Sequence, residues 1–175
     1  MRLVIVGVAL ACLLGGIHAQ SDSDELIKIK ESVKENVGKQ MHGWTYRSIE
    51  PIQGSRNVII QQWQLNDIIV SVAVTRYVSD AKAQDAFRNF KDHFKIEENA
   101  RTKNQGKPYR LIKEDSNEWG DEGFVHDVLG SEAVAFRKGS FIVNVSVPQP
   151  ANNKDVFFSR QFAHHVLKAI EDKKD

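Results

Sequence analysis

The fold is decided by residues 63–90, WQLNDIIVSVAVTRYVSDAKAQDAFRNF. Apolar and polar residues alternate on both sides of Asn66-Asp67, a pattern typical of two antiparallel strands joined by a two-residue turn. Asn and Asp tolerate the left-handed backbone that such a turn requires. After Ser79 the apolar spacing changes to three and four residues, which predicts an amphipathic helix. The stretch therefore predicts a hairpin followed by a helix.

Pairing the predicted strands 58–65 and 68–78 outward from the turn assigns their side chains to two faces of a sheet. Leu65 then lies opposite Ile68, Trp63 opposite Val70, and Ile59 opposite Val74. The first face carries the apolar residues Ile59, Trp63, Leu65, Ile68, Val70, Val72 and Val74. The second face carries the small or polar residues Gln62, Gln64, Ser71, Ala73 and Thr75.

Residues 135–162, AFRKGSFIVNVSVPQPANNKDVFFSRQF, repeat this layout of strand, turn, strand, break and helix. Strands are predicted at 124–129, 132–138 and 141–147. Their first face carries Val134, Phe136, Phe141, Val143, Val145 and Val147. Their second face carries Ala133, Ala135, Arg137, Ile142, Asn144 and Ser146. The second half of the chain is thus a repeat of pattern, not of identity.

The chain is predicted to be an α+β protein with an antiparallel sheet of about six strands, built from two hairpin-plus-helix units. Helices are predicted at 24–37, 80–94 and from 152 or 153 to 170, a strand at 44–49, a loop at 95–107 and a possible short strand at 109–112. The valine-rich face is predicted to be covered by amphipathic helices, with Phe87 and Phe162 both packed on it. The first helix joins them or shields part of the opposite face.

Residues 1–19 are predicted to be a signal peptide, and residues 20–175 a single α+β domain. Arg2 precedes a short apolar run, and Ala19 supplies the small residue before the expected cut. Two alternatives remain open, an uncleaved anchor and a lipid anchor at Cys12, the only cysteine. Cleavage after Ala19 leaves a chain without thiols, and therefore without disulfides or cysteine nucleophiles. A secreted or periplasmic location is the prediction.

The charge balance argues against nucleic acid as a partner. The chain has 24 Lys and Arg against 23 Asp and Glu, and without Arg2 the two counts are equal. Domains that bind nucleic acid usually carry a strong basic excess. No transmembrane run follows the leader, and no cofactor motif is recognised. The partner is predicted to be a small polar ligand or another protein.

The strongest acid–base grouping in the sequence is Asp121, Glu122, His126 and Asp127, and Asp127 is predicted to lie on the opposite face of the strand from His126. The grouping supports an alternative function, a hydrolase-like enzyme that uses His126 with Asp121 or Glu122. The adjacent His164 and His165 point about 100° apart on a helix, so only one of them can join a given metal site. No catalytic residue and no metal ligand is assigned.

The predicted ligand site is the second face of the two hairpins. It gathers small polar groups around one guanidinium: Gln62, Gln64, Ser71, Thr75, Arg137, Asn144 and Ser146. Such a set can hold an anionic or polar ligand with Arg137 as its charge partner. The alternative is the ordinary solvent side of a half-buried sheet. Trp44, Tyr46 and Trp119 lie near predicted strand ends, where they line either a cleft or the core.

Two short segments carry a resemblance to known proteins: Gly120-Asp121-Glu122-Gly123 before a strand, and 136–140, FRKGS, opening an alternating valine strand. Over residues 57–171 the layout resembles small exported bacterial proteins and lipoproteins of unassigned function, with the element order of the Mog1/PsbP-like α-β-α sandwich. Because families of this layout are mostly binding or accessory proteins, the resemblance implies a non-catalytic binding or accessory role.

Overall fold

The computed structural model describes residues 21–49, 57–102, 110–116, 118–128, 131–147 and 156–172. The predicted leader 1–19 and the alternative lipid site at Cys12 lie outside these residues.

Within the described residues the chain forms three helices and seven strands. The helices are α1 (Ser21–Gln40), α2 (Asp80–Thr102) and α3 (Val156–Glu171). The strands are β1 (Thr45–Ile49), β2 (Val58–Leu65), β3 (Ile68–Arg76), β4 (Arg110–Ser116), β5 (Glu122–Val128), β6 (Ser131–Lys138) and β7 (Phe141–Ser146). The α+β class is confirmed, and the strand predicted at 109–112 is the longer β4.

All seven strands belong to one antiparallel sheet with the order β1-β2-β3-β7-β6-β5-β4. Two meanders, β1-β2-β3 and β4-β5-β6-β7, meet where β3 pairs with β7. The predicted hairpin register is confirmed, because Leu65 lies opposite Ile68 and Trp63 opposite Val70. Asn66 adopts a φ of 53°, the left-handed backbone expected at this turn.

The first face of the sheet is covered by α1 and α3, which also pack against each other. This layer buries Val72 of β3 and Val143 of β7 completely, together with Val33 of α1 and Phe162 of α3. Burying each such side chain contributes on the order of 2 kcal/mol, so the valine layer is the main core of the fold. The predicted helical cover of the valine-rich face is confirmed for α3.

The predicted position of Phe87 is wrong, because α2 lies on the opposite face of the sheet. Phe87 packs with Phe124, Ala135 and Ile142 in a second core, separate from the valine layer. The physical reason is that β6 and β7 carry apolar side chains on both faces, as strands between two helical layers do. The helices of the two hairpin-plus-helix units therefore lie on opposite faces of the sheet. The fold has three layers: α1 and α3 form one outer layer, the sheet is the middle layer, and α2 forms the other outer layer.

Two predicted helix ends are also wrong. The first helix, predicted to end at residue 37, continues to Gln40, and the chain turns at Gly43, which has a φ of 88°. The segment 95–102, predicted as loop, continues α2 to Thr102. Its residues, KIEENART, contain several good helix formers and no Gly or Pro, so nothing in them ends a helix. In the described part of the chain, no helix is long and apolar enough to cross a membrane.

Candidate functional site

The residues predicted to form a ligand site do share the second face of the sheet. Gln62 of β2 lies opposite Ser71 of β3, which lies opposite Ser146 of β7. Gln62 Nε2 donates a hydrogen bond to Ser71 Oγ at 3.2 Å. Gln64 Nε2 donates to the backbone oxygen of Asn66 at 2.7 Å. Both amide groups therefore bind within their own hairpin.

Arg137, the predicted charge partner of an anion, is surrounded by groups of the protein. Its Nε donates to Glu122 Oε1 at 2.6 Å, and its NH1 lies 3.1 Å from Asp121 Oδ2. The same NH1 donates to the backbone oxygen of Gly139 at 3.0 Å, and Gly139 N donates to Asp121 Oδ2 at 2.8 Å. Two carboxylates thus contact the guanidinium, and Lys138 Nζ lies 3.7 Å from Asp121 Oδ1, so the cluster connects the β6–β7 turn to the start of β5.

Three further residues of the predicted sites are buried. Thr75 and Asn144 expose 4% and 8% of their surface, and His126 exposes 2%. His126 Nε2 donates a hydrogen bond to Asn144 Oδ1 at 3.1 Å, across the small side chains of β6. The ring of Phe90 from α2 stands edge-on to the imidazole, 6.2 Å away between centroids. His126 therefore belongs to the layer beneath α2.

The structure does not bring His126 together with Asp121 or Glu122. Glu122 and His126 lie on the same face of β5 but four residues apart, about 13 Å along an extended strand. The ring of Phe124 lies on that face between them, with its centroid 5.5 Å from that of the imidazole. Both carboxylates contact Arg137, whereas the imidazole contacts Asn144. A base and its orienting acid need hydrogen-bond contact, so these residues do not form an acid–base pair.

A different site lies where the end of α1, the start of β1, the end of β2 and the first turns of α3 meet. The groove there has a volume of about 450 Å³. Its apolar lining is formed by Met41, Trp44, Leu65 and Phe158. Its polar lining is formed by Gln40, His42, Gln161, His164 and His165. We call this feature the histidine groove.

The turn between α1 and β1 builds one wall of the histidine groove. Gly43 has a positive φ of 88°, a conformation that L side chains rarely adopt. A Cβ at Gly43 would lie 3.2 Å from Leu65 Cδ1, so the glycine lets the turn approach β2 closely. The turn places His42 and Trp44 on either side of this glycine at the groove.

Trp44 connects the groove to the core. Its ring is edge-on to Phe158 and to Phe162, with both centroid distances 5.0 Å. Phe162 is fully buried, whereas Trp44 and Phe158 are only half-buried. The other two tryptophans, Trp63 and Trp119, expose 2% and 0% of their surface. Trp44 is therefore the tryptophan that a solute in the groove can touch.

Two of the groove histidines, His164 and His165, have different surroundings. Burial lowers the pKa of His165, and the nearby charges of His164 and Lys168 lower this pKa further. His165 is consequently neutral at neutral pH. His164 Nε2 donates a hydrogen bond to Glu118 Oε1 at 3.1 Å, at the outer side of α3.

Sequence reasoning missed the histidine groove almost entirely. From the sequence, His164 and His165 are considered only as metal ligands, and Trp44 is placed either in a cleft or in the core. Nothing in the local pattern joins residues 40–44 to residues 158–165, because their contact depends on how α1 and α3 pack. The described residues contain no group of three or more His, Cys, Asp or Glu side chains placed to hold a metal ion.

Comparison with known proteins adds no assignment to this geometry. No protein-family model, curated protein or solved structure was found to match the chain. The likeness to exported proteins of the Mog1/PsbP-like layout therefore stays a prediction.

Proposed function

We propose that this chain is an exported, non-catalytic binding protein that holds a small ligand in the histidine groove. The amino-terminal sequence supports export to the periplasm or the exterior, since residues 1–19 have the pattern of a signal peptide. The protein acts there as a carrier or accessory component.

The observation that carries this proposal is the half-buried aromatic wall of the groove. Ligand sites are concave, largely apolar and about 300–1,000 Å³ in volume, with a few polar groups that fix orientation. The histidine groove has a volume of about 450 Å³ and polar groups beside the rings of Trp44 and Phe158, although its lining is about half polar and it is open to solvent. Large rings are usually buried in the core or in contact with a partner, so an aromatic pair open to a groove favours binding.

Binding is favoured over catalysis by the residue types in the groove. Among the described residues that line it there is no Ser, Thr, Cys or Lys to act as a nucleophile, and no carboxylate. The pair His164–Glu118 orients an imidazole, but the described lining offers no third group on which this base can act. The same comparison disfavours the polar sheet face, because Gln62, Asn144 and Arg137 are bound to other groups of the protein.

The proposal is tested by native mass spectrometry of the full chain secreted by a bacterial host. The protein is incubated with defined neutral, anionic and cationic metabolites, and adducts are compared with those of Gln161→Ala and Gln62→Ala. Gln161 is an exposed groove residue, and Gln62 lies on the polar sheet face. We expect an adduct that Gln161→Ala weakens and Gln62→Ala retains. An adduct lost only in Gln62→Ala, or no adduct with any compound, contradicts the proposal.

A further inference from the structure

We propose that the ligand of the histidine groove is an uncharged saccharide. This inference rests on the proposed function and adds the chemical class of the ligand. It is carried by two features of the groove: the absence of fixed charge among its described lining residues, and the combination of aromatic rings with amide and imidazole groups.

The described lining of the histidine groove contains no Asp, Glu, Lys or Arg, which is unusual for a chain rich in these residues. Asp, Glu, Lys and Arg make up 27% of all residues, yet none of the described lining residues is of these types. Two charged residues contact the histidines of the groove: Glu118 accepts a hydrogen bond from His164, and Lys168 lies close enough to affect His165. These two charges have opposite signs. A charged ligand would lose water in the groove without gaining a counter-charge, which is costly.

The polar groups of the groove both donate and accept hydrogen bonds. Gln40 and Gln161 each offer an amide NH₂ and a carbonyl oxygen, and a neutral imidazole offers one donor and one acceptor. Saccharide hydroxyls have the same dual character, so each can be satisfied in either direction. A ligand with only donors or only acceptors would leave part of this lining unpaired, at a cost in free energy.

The aromatic rings of the groove offer surfaces on which the apolar face of a sugar ring can pack. The faces of aromatic rings carry negative charge density, and the C–H groups of a sugar ring are weak donors to such faces. Trp44 and Phe158 are half-buried at the groove, and Phe157, the next residue outward on α3, exposes 64% of its surface. Phe157 is one helical turn from Gln161 on α3 and is not among the residues that line the groove.

A peptide is the competing neutral ligand, and the geometry favours it less. Extended peptides commonly bind by adding a strand to a free sheet edge, where the backbone supplies the hydrogen bonds. The described lining of the groove consists instead of side chains from the end of α1, the turn before the edge strand β1, the end of β2 and α3. A blocked peptide is therefore included in the test as an alternative.

The test uses the full chain at pH 7.5 and ligands of one length. The neutral ligands are chitotetraose and cellotetraose, the anionic ligand is tetragalacturonate, and the cationic ligand is an N-trimethylated chitosan tetramer. An acetylated and amidated tetrapeptide of Ser and Asn represents neutral peptides. Affinity is measured by calorimetry, and site occupancy by tryptophan emission. Because Trp63 and Trp119 are buried, a shift of emission reports on Trp44.

We expect at least one neutral tetrasaccharide to bind and to shift the emission to shorter wavelength. We expect both charged tetramers to bind at least about tenfold more weakly, because their charge is desolvated without a partner. Trp44→Phe abolishes the emission shift but keeps an aromatic ring. Gln161→Ala weakens binding about fivefold, the loss of one neutral hydrogen bond, and Gln62→Ala leaves the affinity unchanged.

Gln161→Glu provides the sharpest comparison, since it changes one amide to a carboxylate of the same shape. It is expected to weaken binding of the neutral tetrasaccharide and to strengthen binding of the cationic tetramer. The ligand class is refuted if a charged tetramer or the blocked peptide binds best in the groove, or if no tetrasaccharide binds. Those results leave the proposed binding function standing. Saccharide binding unaffected by both Gln161 variants refutes the groove as the site, and with it the proposed function.

Discussion

Replacing Arg137 by alanine is expected to destabilise the fold by about 2–3 kcal/mol without changing ligand affinity. The Arg137 side chain is 10% exposed and contacts Glu122 Oε1 at 2.6 Å and Asp121 Oδ2 at 3.1 Å. It also binds the carbonyl oxygen of Gly139. Arg137→Ala removes the guanidinium between the two carboxylates and leaves Lys138, whose Nζ lies 3.7 Å from Asp121 Oδ1, as the described cation beside them.

The magnitude follows from the burial of the partners. Removing one member of a buried ion pair costs about 3–5 kcal/mol, because the other charge remains without compensation. The side chains of Asp121 and Glu122 are 37% and 31% exposed, so water partly replaces the guanidinium. This exposure reduces the expected cost to about 2–3 kcal/mol. For a chain of this size the melting temperature is lowered by roughly 5–10 °C.

The measurement is urea denaturation of the full chain at pH 7 and low salt, with Lys39→Ala as control. Lys39 forms an ion pair with Glu35 on the surface of α1, where both side chains are more than 60% exposed. The control is expected to leave the unfolding midpoint unchanged. Arg137→Lys keeps the charge but not the forked geometry, and should fall between wild type and Arg137→Ala. A stability loss below about 0.5 kcal/mol, or a lower ligand affinity with unchanged stability, refutes a structural role for Arg137.

Three further predictions concern other strained or buried groups. Gly120→Ala should cost about 1–3 kcal/mol of unfolding free energy, because Gly120 has a φ of 113° and an added Cβ would lie 2.7 Å from the Arg137 carbonyl oxygen; an unchanged urea midpoint contradicts this. Gln61→Met should stabilise the fold by about 1 kcal/mol, because Gln61 is fully buried and its Oε1 has no hydrogen-bond partner in the described part of the chain. A lower melting temperature of the variant would contradict this and show that the hydrogen bond from Gln61 Nε2 to the Lys30 carbonyl oxygen of α1 outweighs the cost of the unpaired Oε1. The lowered pKa of His165 means that the unfolded chain takes up a proton near pH 6.5, whereas the folded chain does so only at lower pH. The contribution of this group to stability is therefore complete above about pH 6.5 and is lost as the pH falls below that value. His165→Gln should reduce the decrease in unfolding free energy measured between pH 7 and pH 5. An equal decrease in the variant and the wild type speaks against the effect.

The register of the β2–β3 hairpin was predictable because it depends on local sequence. The alternation of apolar residues selects the face, and Asn66 in a left-handed conformation fixes the two-residue turn. A slip by one residue would turn Val70 and Val72 to the wrong side of the sheet. Local pattern and turn chemistry agree here, so the pairing follows from the sequence alone.

The side of the sheet on which α2 lies was not predictable in the same way. Both α2 and α3 have an apolar stripe that contains phenylalanines. Such a stripe predicts that the helix packs on a sheet, but it does not indicate on which of two apolar faces. The second face of β6 and β7 mixes Ala135 and Ile142 with Arg137 and Asn144, and the polar residues made it look solvent-exposed. The structure buries that face and gives its polar groups partners. Arg137 is paired with Glu122 of β5 and with Asp121, which precedes β5, and Asn144 is hydrogen-bonded to His126. These partners lie on β5 or just before it, so the sequence pattern of β6 and β7 alone does not predict them.

The same distinction explains which predicted site residues are available to a ligand. On the second face, Gln62 binds Ser71, Asn144 binds His126, and Arg137 is held by two acids. Breaking these contacts to admit a ligand would cost free energy that the ligand must supply. In the histidine groove, a ligand can contact the half-buried ring of Trp44 and the exposed amide of Gln161 without breaking hydrogen bonds of this kind. A binding surface is therefore marked less by the number of polar residues on a face than by how few of them already have partners within the protein.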